Sequence, residues 1–175
     1  MDELNYKPCD GYMKKLNHNR GGEAGFTLME LMVVLAIVAI SASIAMPNFR
    51  NFMLTQEVKT ATVDLHLSML YARSEAVKRN SSVTLTPVTT GVWNGGWDVK
   101  FGTIILRTID AHTGLTITGA NVTYGRDGRL TSGVVNFNIS VAGNNSVTMR
   151  CITVSPSGLP NVVVDGDGDE SNGCT

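Results

Sequence analysis

Few side chains in this sequence have both the type and the spacing for chemistry. The three histidines, His18, His66 and His112, are scattered, and none stands in a metal-ligand or nucleophile motif. Asp64 and His66 are two positions apart and would not face each other on a helix. No enzyme and no cofactor is predicted from these residues. The run Asp165-Gly-Asp-Gly-Asp-Glu170 groups four carboxylates, Asp165, Asp167, Asp169 and Glu170. Alternating Asp and Gly suits oxygen ligation of Ca²⁺, but the spacing of a full EF-hand loop is absent. The run reads as a solvated acidic turn, with calcium as the alternative. Arg126 and Arg129 lie in Gly125-Arg-Asp-Gly-Arg129, a small cationic patch interrupted by Asp127 that reads first as a hairpin turn. Two or three phosphate contacts would give weak, strongly salt-dependent nucleic-acid binding.

Glu30 is a candidate of another kind. It sits near the start of the segment 26–46, whose other polar members are Thr27, Ser41 and Ser43, and Leu31 to Ile40 is wholly apolar. About 20 apolar residues cross a bilayer as a helix, so this segment predicts a single membrane span; a buried helix of a soluble core is the alternative. A carboxylate in hydrocarbon costs about 2.5–3.5 kcal/mol on insertion scales and marks a functional position by default. Snorkelling of Glu30 to the interface is the competing explanation. Lys7, Lys14, Lys15 and Arg20 precede the segment, while the first basic residues after it are Arg50 and Lys59. That asymmetry keeps the N-terminus cytoplasmic and exports the remainder. No small-residue cleavage site follows the apolar run, so an ordinary secretory signal fits poorly.

The elements that must position these residues follow from the periodicity. Pro47, at the end of the run, predicts a kink in a helix that continues beyond it. Leu54, Val58, Ala61, Leu65, Met69, Ala72 and Ala76 recur at helical steps, with Val63, Leu67, Leu70 and Val77 on an adjoining row. Gln56, Lys59, Asp64, Arg73 and Lys78 form the polar face, and Arg79-Asn-Ser-Ser82 ends the pattern. The period then changes to two: Val83/Leu85, Trp97/Val99/Phe101, Val135/Phe137/Ile139 and Val147/Met149/Cys151 alternate with polar residues as strands do. Asn94-Gly-Gly96, Thr113-Gly114, Asp127-Gly128, Gly143-Asn-Asn145 and Ser157-Gly158 supply turn signals. The predicted class is α+β: one long N-terminal helix lying across an antiparallel β-sheet.

Composition bounds what such a chain can do. Its 175 residues carry 14 Lys+Arg and 15 Asp+Glu, a formal charge of -1, so no bulk basic field exists to hold nucleic acid or an anionic surface. Charged residues make up 17%, below the roughly 25% of ordinary soluble domains, and the length leaves room for one domain plus an appendage.

The segment Gly25-Phe-Thr-Leu-Met-Glu30 followed by an apolar run resembles the class III signal of type IV pilins and type II secretion pseudopilins. In that family a prepilin peptidase cuts on the cytoplasmic side after the glycine, and the new N-terminal residue is methylated. The resemblance implies cleavage after Gly25, N-methylation of Phe26, and a register role for Glu30, whose partner would be the amino group at Phe26 of a neighbouring subunit. The runs Leu70-Tyr-Ala-Arg-Ser-Glu-Ala-Val-Lys-Arg79, Val83-Thr-Leu85 and Gly96-Trp-Asp-Val-Lys-Phe101 look like the GspH/FimT branch of minor pilins and pseudopilins. The Arg73/Glu75 pair in the first run reads as an ordinary helix face.

The implied organisation is a leader over 1–25, a membrane and assembly half-helix over 26–46, an amphipathic half over 47–80, and a β domain over 81–175. Cys9 falls in the leader, leaving Cys151 and Cys174 in an oxidising compartment, where a bridge is expected rather than free thiols; C-terminal disulfides are common in pilins. The implied partners are other minor and major pilins or pseudopilins, the prepilin peptidase, and the inner-membrane assembly platform. The implied location is the bacterial inner membrane, with the β domain periplasmic, and then the fibre. Certain FimT proteins capture DNA through a C-terminal Gly-Arg-x-Arg motif; the matching turn here is Gly158-Leu-Pro-Asn161, which has neither arginine. A DNA-binding minor pilin is therefore the alternative function. The shared helix does not separate a type IV pilus from a secretion pseudopilus.

Overall fold

Thr27 begins the helix in a way that its neighbours dictate. Its hydroxyl oxygen accepts the Glu30 backbone N–H at 3.1 Å, and its carbonyl accepts Leu31 N–H at 3.1 Å. Thr-x-x-Glu is a capping-box sequence, and a carboxylate in the first turn is favoured by the helix dipole. A computed structural model of the protein describes residues 25–167, 173 and 174. From this cap, α1 runs over Leu28–Arg79. The chain divides into two compact units, Met1–Ile40 and Ser41–Thr175. In the first, every described residue from Gly25 to Ile40 is exposed, apolar side chains included. Among the described residues no single helix is long and apolar enough to cross a membrane; the arms Leu28–Ile44 and Asn48–Arg79 meet that test together, by length and composition. The break between the arms, 45–47, takes in the last two residues of the expected span 26–46.

In the second unit, the buried face of α1 is the row the spacing predicts. Val58, Ala61, Leu65, Met69, Ala72 and Ala76 are buried and Leu54 packs against them. The adjoining row is not covered: Val63, Leu67 and Val77 are about half exposed. Buried Thr62 and Ser68 satisfy their hydroxyls on the helix itself, donating to Val58 O and Asp64 O. Asn80 ends α1 at φ 50°, with Asn80 N–H on Val77 O and Ser81 N–H on Ala76 O. That double closure uses one of the few residue types that enters the left-handed region readily.

Among the described residues eight strands follow: β1 (Val83–Thr89), β2 (Val92–Phe101), β3 (Ile104–Ile109), β4 (Thr116–Thr118), β5 (Val122–Tyr124), β6 (Val135–Ser140), β7 (Arg150–Val154) and β8 (Pro160–Val164). They form two four-stranded antiparallel sheets, ordered β3-β2-β1-β5 and β4-β6-β7-β8, where a single sheet was expected. The division is sealed by aromatic packing: Trp93 of β2 meets Phe137 of β6 edge-on at 4.8 Å and donates Nε1–H to Gly119 O at 3.1 Å. Asn94-Gly-Gly96 is not a turn but lies inside β2; the reversal between β1 and β2 is at Thr90-Gly91. Gly96 has φ 93°, and a Cβ there would stand 2.5 Å from Ile109 O. The glycine is present for close approach of β3, a requirement that sequence alone cannot separate from a turn. Val147 and Met149 are buried but precede β7; their alternation continues the core without ladder pairing.

Candidate functional site

The signal residues stand at the start of α1. Among the described residues, none beyond its chain neighbours comes within 4 Å of where a Cβ on Gly25 would be, and Phe26 is 79% exposed. Glu30 occupies the third helical position, where its own N–H is taken by Thr27. Residues 1–24 of the expected leader lie outside the described residues. The structure therefore presents a peptide bond, 25–26, in an accessible segment directly before a capped helix.

At the other end of the chain, Cys151 of β7 is bonded to Cys174, with Cα atoms 5.9 Å apart and a sequence separation of 23. A loop of that length contributes about 3 kcal/mol in the chain-entropy account. Asp165 within it is buried, its backbone N–H on Met149 O at 3.1 Å. The expectation of a solvated acidic turn is thus corrected for Asp165, whereas Asp167 is exposed. Asp165 is carried inward because it directly follows β8, which pairs with β7 along its length. Asp169 and Glu170 lie outside the described residues, and among the described residues no group of three or more His, Cys, Asp or Glu could hold a metal ion.

Arg126 and Arg129 are exposed on a tight turn, closed by Gly128 N–H on Gly125 O at 2.9 Å and Gly125 N–H on Arg129 O at 2.8 Å. The structure brings this turn against the segment 155–159: Leu130 N–H donates to Pro156 O at 3.2 Å, and a Cβ on Gly158 would collide with Gly128 O. Arg73 Nε donates to the same Gly128 carbonyl at 2.9 Å. Arg73 therefore does not pair with Glu75, as its sequence context suggested. Glu75 is buried and pairs with Arg79 at 2.6 Å and Lys78 at 3.4 Å. The hydrogen bond from Arg79 holds its carboxyl below the ordinary range against the opposing effect of burial, with the charge of Lys78 adding to it. Its neighbours lie three and four residues on, where helix geometry puts them on one face.

His112 was read as one of three scattered histidines, and the structure gives it a place. It is 7% exposed, stacks on Trp97 at 5.4 Å, and has Nδ1 2.9 Å from Glu57 Oε1 and Nε2 3.6 Å from Asp64 Oδ2. Its backbone N–H donates to Asn94 O at 2.9 Å. Glu57 and Asp64 are seven apart, two turns of one face, and that spacing was the available signal. What it lacked was any local indication that His112 would arrive there.

Comparisons with known proteins agree with this architecture. Residues 61–158, more than half of the chain, match the family described as type II transport protein GspH, and residues 20–46 match the prokaryotic N-terminal methylation motif. Crystal structures of the type IV minor pilin FimU of Pseudomonas aeruginosa superpose with TM-scores of 0.58 and 0.55, at 21% and 20% identity. These cover 71% and 67% of this chain and 99% of those chains, and they establish the shared fold. Type IV major fimbrial protein FimA of Dichelobacter nodosus is 47% identical over 36 residues, 21% of this chain and 23% of FimA, so the chain spans under a quarter of that relative. With the N-terminal methylation motif, the long helix and the antiparallel domain behind it, the chain belongs to the GspH family.

Proposed function

We propose that this chain is a non-enzymatic fibre subunit, held in the bacterial inner membrane by residues 26–46 until it joins a type IV pilus or a secretion pseudopilus. Prepilin peptidase cuts after Gly25, and Phe26 becomes the methylated N-terminal residue. The new amino group of one subunit meets Glu30 of the next, which neutralises a carboxylate that hydrocarbon would otherwise penalise. Pro47, which supplies no backbone N–H, is the hinge position between the two arms. The β domain faces the periplasm and then the fibre surface, at or near the tip. Partners are other minor and major pilins or pseudopilins and the inner-membrane assembly platform. Neither fibre type is favoured over the other by the helix they share.

The observation that carries this reading is the join of two features at one point: the methylation motif over 20–46 and an exposed Gly25–Phe26 bond followed at once by the Thr27–Glu30 cap. The cap lies wholly on the retained side of the bond, so cleavage leaves the helix start intact. Its test is Glu30→Ala in the native host. The variant chain is expected to lose its leader and gain a methyl group, read by intact mass, yet to be absent from sheared fibres or cross-linked pseudopilus complexes. Incorporation equal to the wild type would overturn the role given to Glu30, and an uncleaved chain beginning at Met1 would overturn the whole reading.

A further inference from the structure

Within the second unit, a cleft of about 690 Å³ opens between the middle of α1, from Ser43 to Leu54, and the loop after β6. That is the size of ordinary small-molecule sites. Met46, Leu54 and Val141 supply apolar walls, and Arg50, Asn51 and Asn144 supply polar groups. Asn144 Nδ2 donates to Asn51 Oδ1 at 3.1 Å, which fixes one rim. Arg50 is exposed and forms no ion pair among the described residues. A free guanidinium beside an apolar wall, with amides at hand, matches a group that joins a phosphate to hydrocarbon.

The position along the chain says where such a group would come from. Met46 is both the last residue of the apolar run and a wall of the cleft, and Arg50 follows it by one helical turn, about 6 Å of rise. Basic residues just beyond a spanning segment lie at headgroup level. We propose that this cleft seats one glycerophospholipid of the periplasmic leaflet, its phosphate on Arg50 and its glycerol and first methylenes along Met46, Leu54 and Val141. The lipid would tie the loop 141–144 to the membrane surface while the subunit waits for assembly. The proposal rests on the membrane-anchored reading given above.

The test uses the full chain in liposomes of phosphatidylethanolamine and phosphatidylglycerol carrying a phospholipid with a photoreactive headgroup, with adducts mapped by mass spectrometry. Adducts are expected on peptides containing Asn51 to Leu54 and Val141 to Asn144. Arg50→Ser should lower them about five-fold, the factor for about 1 kcal/mol per basic residue at a lipid surface. Arg107→Ser, an exposed arginine elsewhere in the domain, should leave them unchanged, which separates Arg50 from general charge. Equal labelling of the Arg50→Ser chain, or adducts confined to 26–46, would overturn the lipid site and leave the anchor standing. Loss of the adducts in excess inorganic phosphate would mean that the cleft recognises the ion and not the lipid. Absence of adducts anywhere, including 26–46, would defeat the membrane anchor itself.

Discussion

Glu57 and His112 stand 55 positions apart in the chain, and their side chains meet at 2.9 Å. Because Asp64 approaches the other ring nitrogen at 3.6 Å, the imidazole lies against two turns of α1 at once and fastens the segment after β3 to the helix. Trp97 below it is in turn tied to the helix, donating Nε1–H to Ser68 Oγ at 3.0 Å. Replacing His112 by Phe keeps a ring on Trp97 but removes the bond to Glu57. A loss of about 1–3 kcal/mol is expected from one unmade buried polar contact, measured by urea unfolding of the detergent-solubilised chain. Glu57→Gln, which keeps a hydrogen-bonding amide, should lose less than half as much. An unchanged midpoint in His112→Phe would show that the clasp adds nothing to stability.

Glu75 gives the acid side of the stability profile. Its folded-state carboxyl is held below its ordinary value of 4.5, first by the Arg79 hydrogen bond. A group depressed on folding stabilises the fold above its unfolded pKa, and the contribution disappears as pH falls through the folded value. The melting temperature of Glu75→Gln should therefore lie below that of the wild type at pH 7 and converge with it below pH 4.5. A constant gap across that range would place the effect in packing instead of charge.

Two glycines separate conformational need from mere occurrence. Gly158 has φ 82° and a Cβ there would run into Gly128 O, whereas Gly102 has φ 59° with open space around it. Gly158→Ala pays both for the left-handed backbone and for pushing apart the turns 125–129 and 155–159, so a loss beyond about 2–3 kcal/mol is expected. Gly102→Ala meets only the backbone term, about 1 kcal/mol. Equal losses in chemical denaturation would contradict the packing of the two turns.

What the sequence made legible divides along the same line between local and distant contacts. The buried row from Val58 to Ala76 was readable because helix periodicity is a property of neighbours, and so was the end of α1 near Asn80. The pairing of Cys151 with Cys174 followed from compartment and count, independently of topology. By contrast, Asn94-Gly-Gly96 looked like a turn because glycine marks both turns and close approaches, and only the register of β2 with β3 tells which. The short strands Thr116–Thr118 and Val122–Tyr124 are too brief to show alternation. His112 and Arg73 were misread for one reason: their partners, Glu57 and Gly128, are each 55 positions away.

Tyr124 sets the alkaline limit. It is fully buried, and burial pushes its phenol up to about 12 although the Arg73 charge works in the opposite direction. The neutral form is the one that the fold keeps, so the stability it lends is complete below the ordinary tyrosine value near 10 and is lost as pH rises towards 12. Its hydroxyl makes no hydrogen bond among the described residues, so Tyr124→Phe should be nearly neutral at pH 7. From pH 10 to 12 the variant should outlast the wild type, as followed by circular dichroism. Parallel alkaline unfolding of the two chains would remove Tyr124 as the cause.

Arg126 and Arg129 offer the remaining check on what the β domain can bind. Both are exposed on one turn, and that turn abuts the 155–159 segment, which overlaps the turn 158–161 where the resemblance would place a Gly-Arg-x-Arg motif. Asp127 is between them, its Oδ1 accepting the Arg129 N–H at 3.1 Å, so a carboxylate is fixed within the patch. Two cations can displace about two counterions, and the affinity for duplex DNA should then fall with a log–log salt slope near -2. In mobility shifts with the full chain, weak retardation is expected at about 20 mM salt and none at about 150 mM. Arg126→Ala with Arg129→Ala should abolish the low-salt shift, and Asp127→Asn should strengthen it. Retardation that persists at the higher salt would require more phosphate contacts than this turn supplies, and would make DNA capture a function of the subunit.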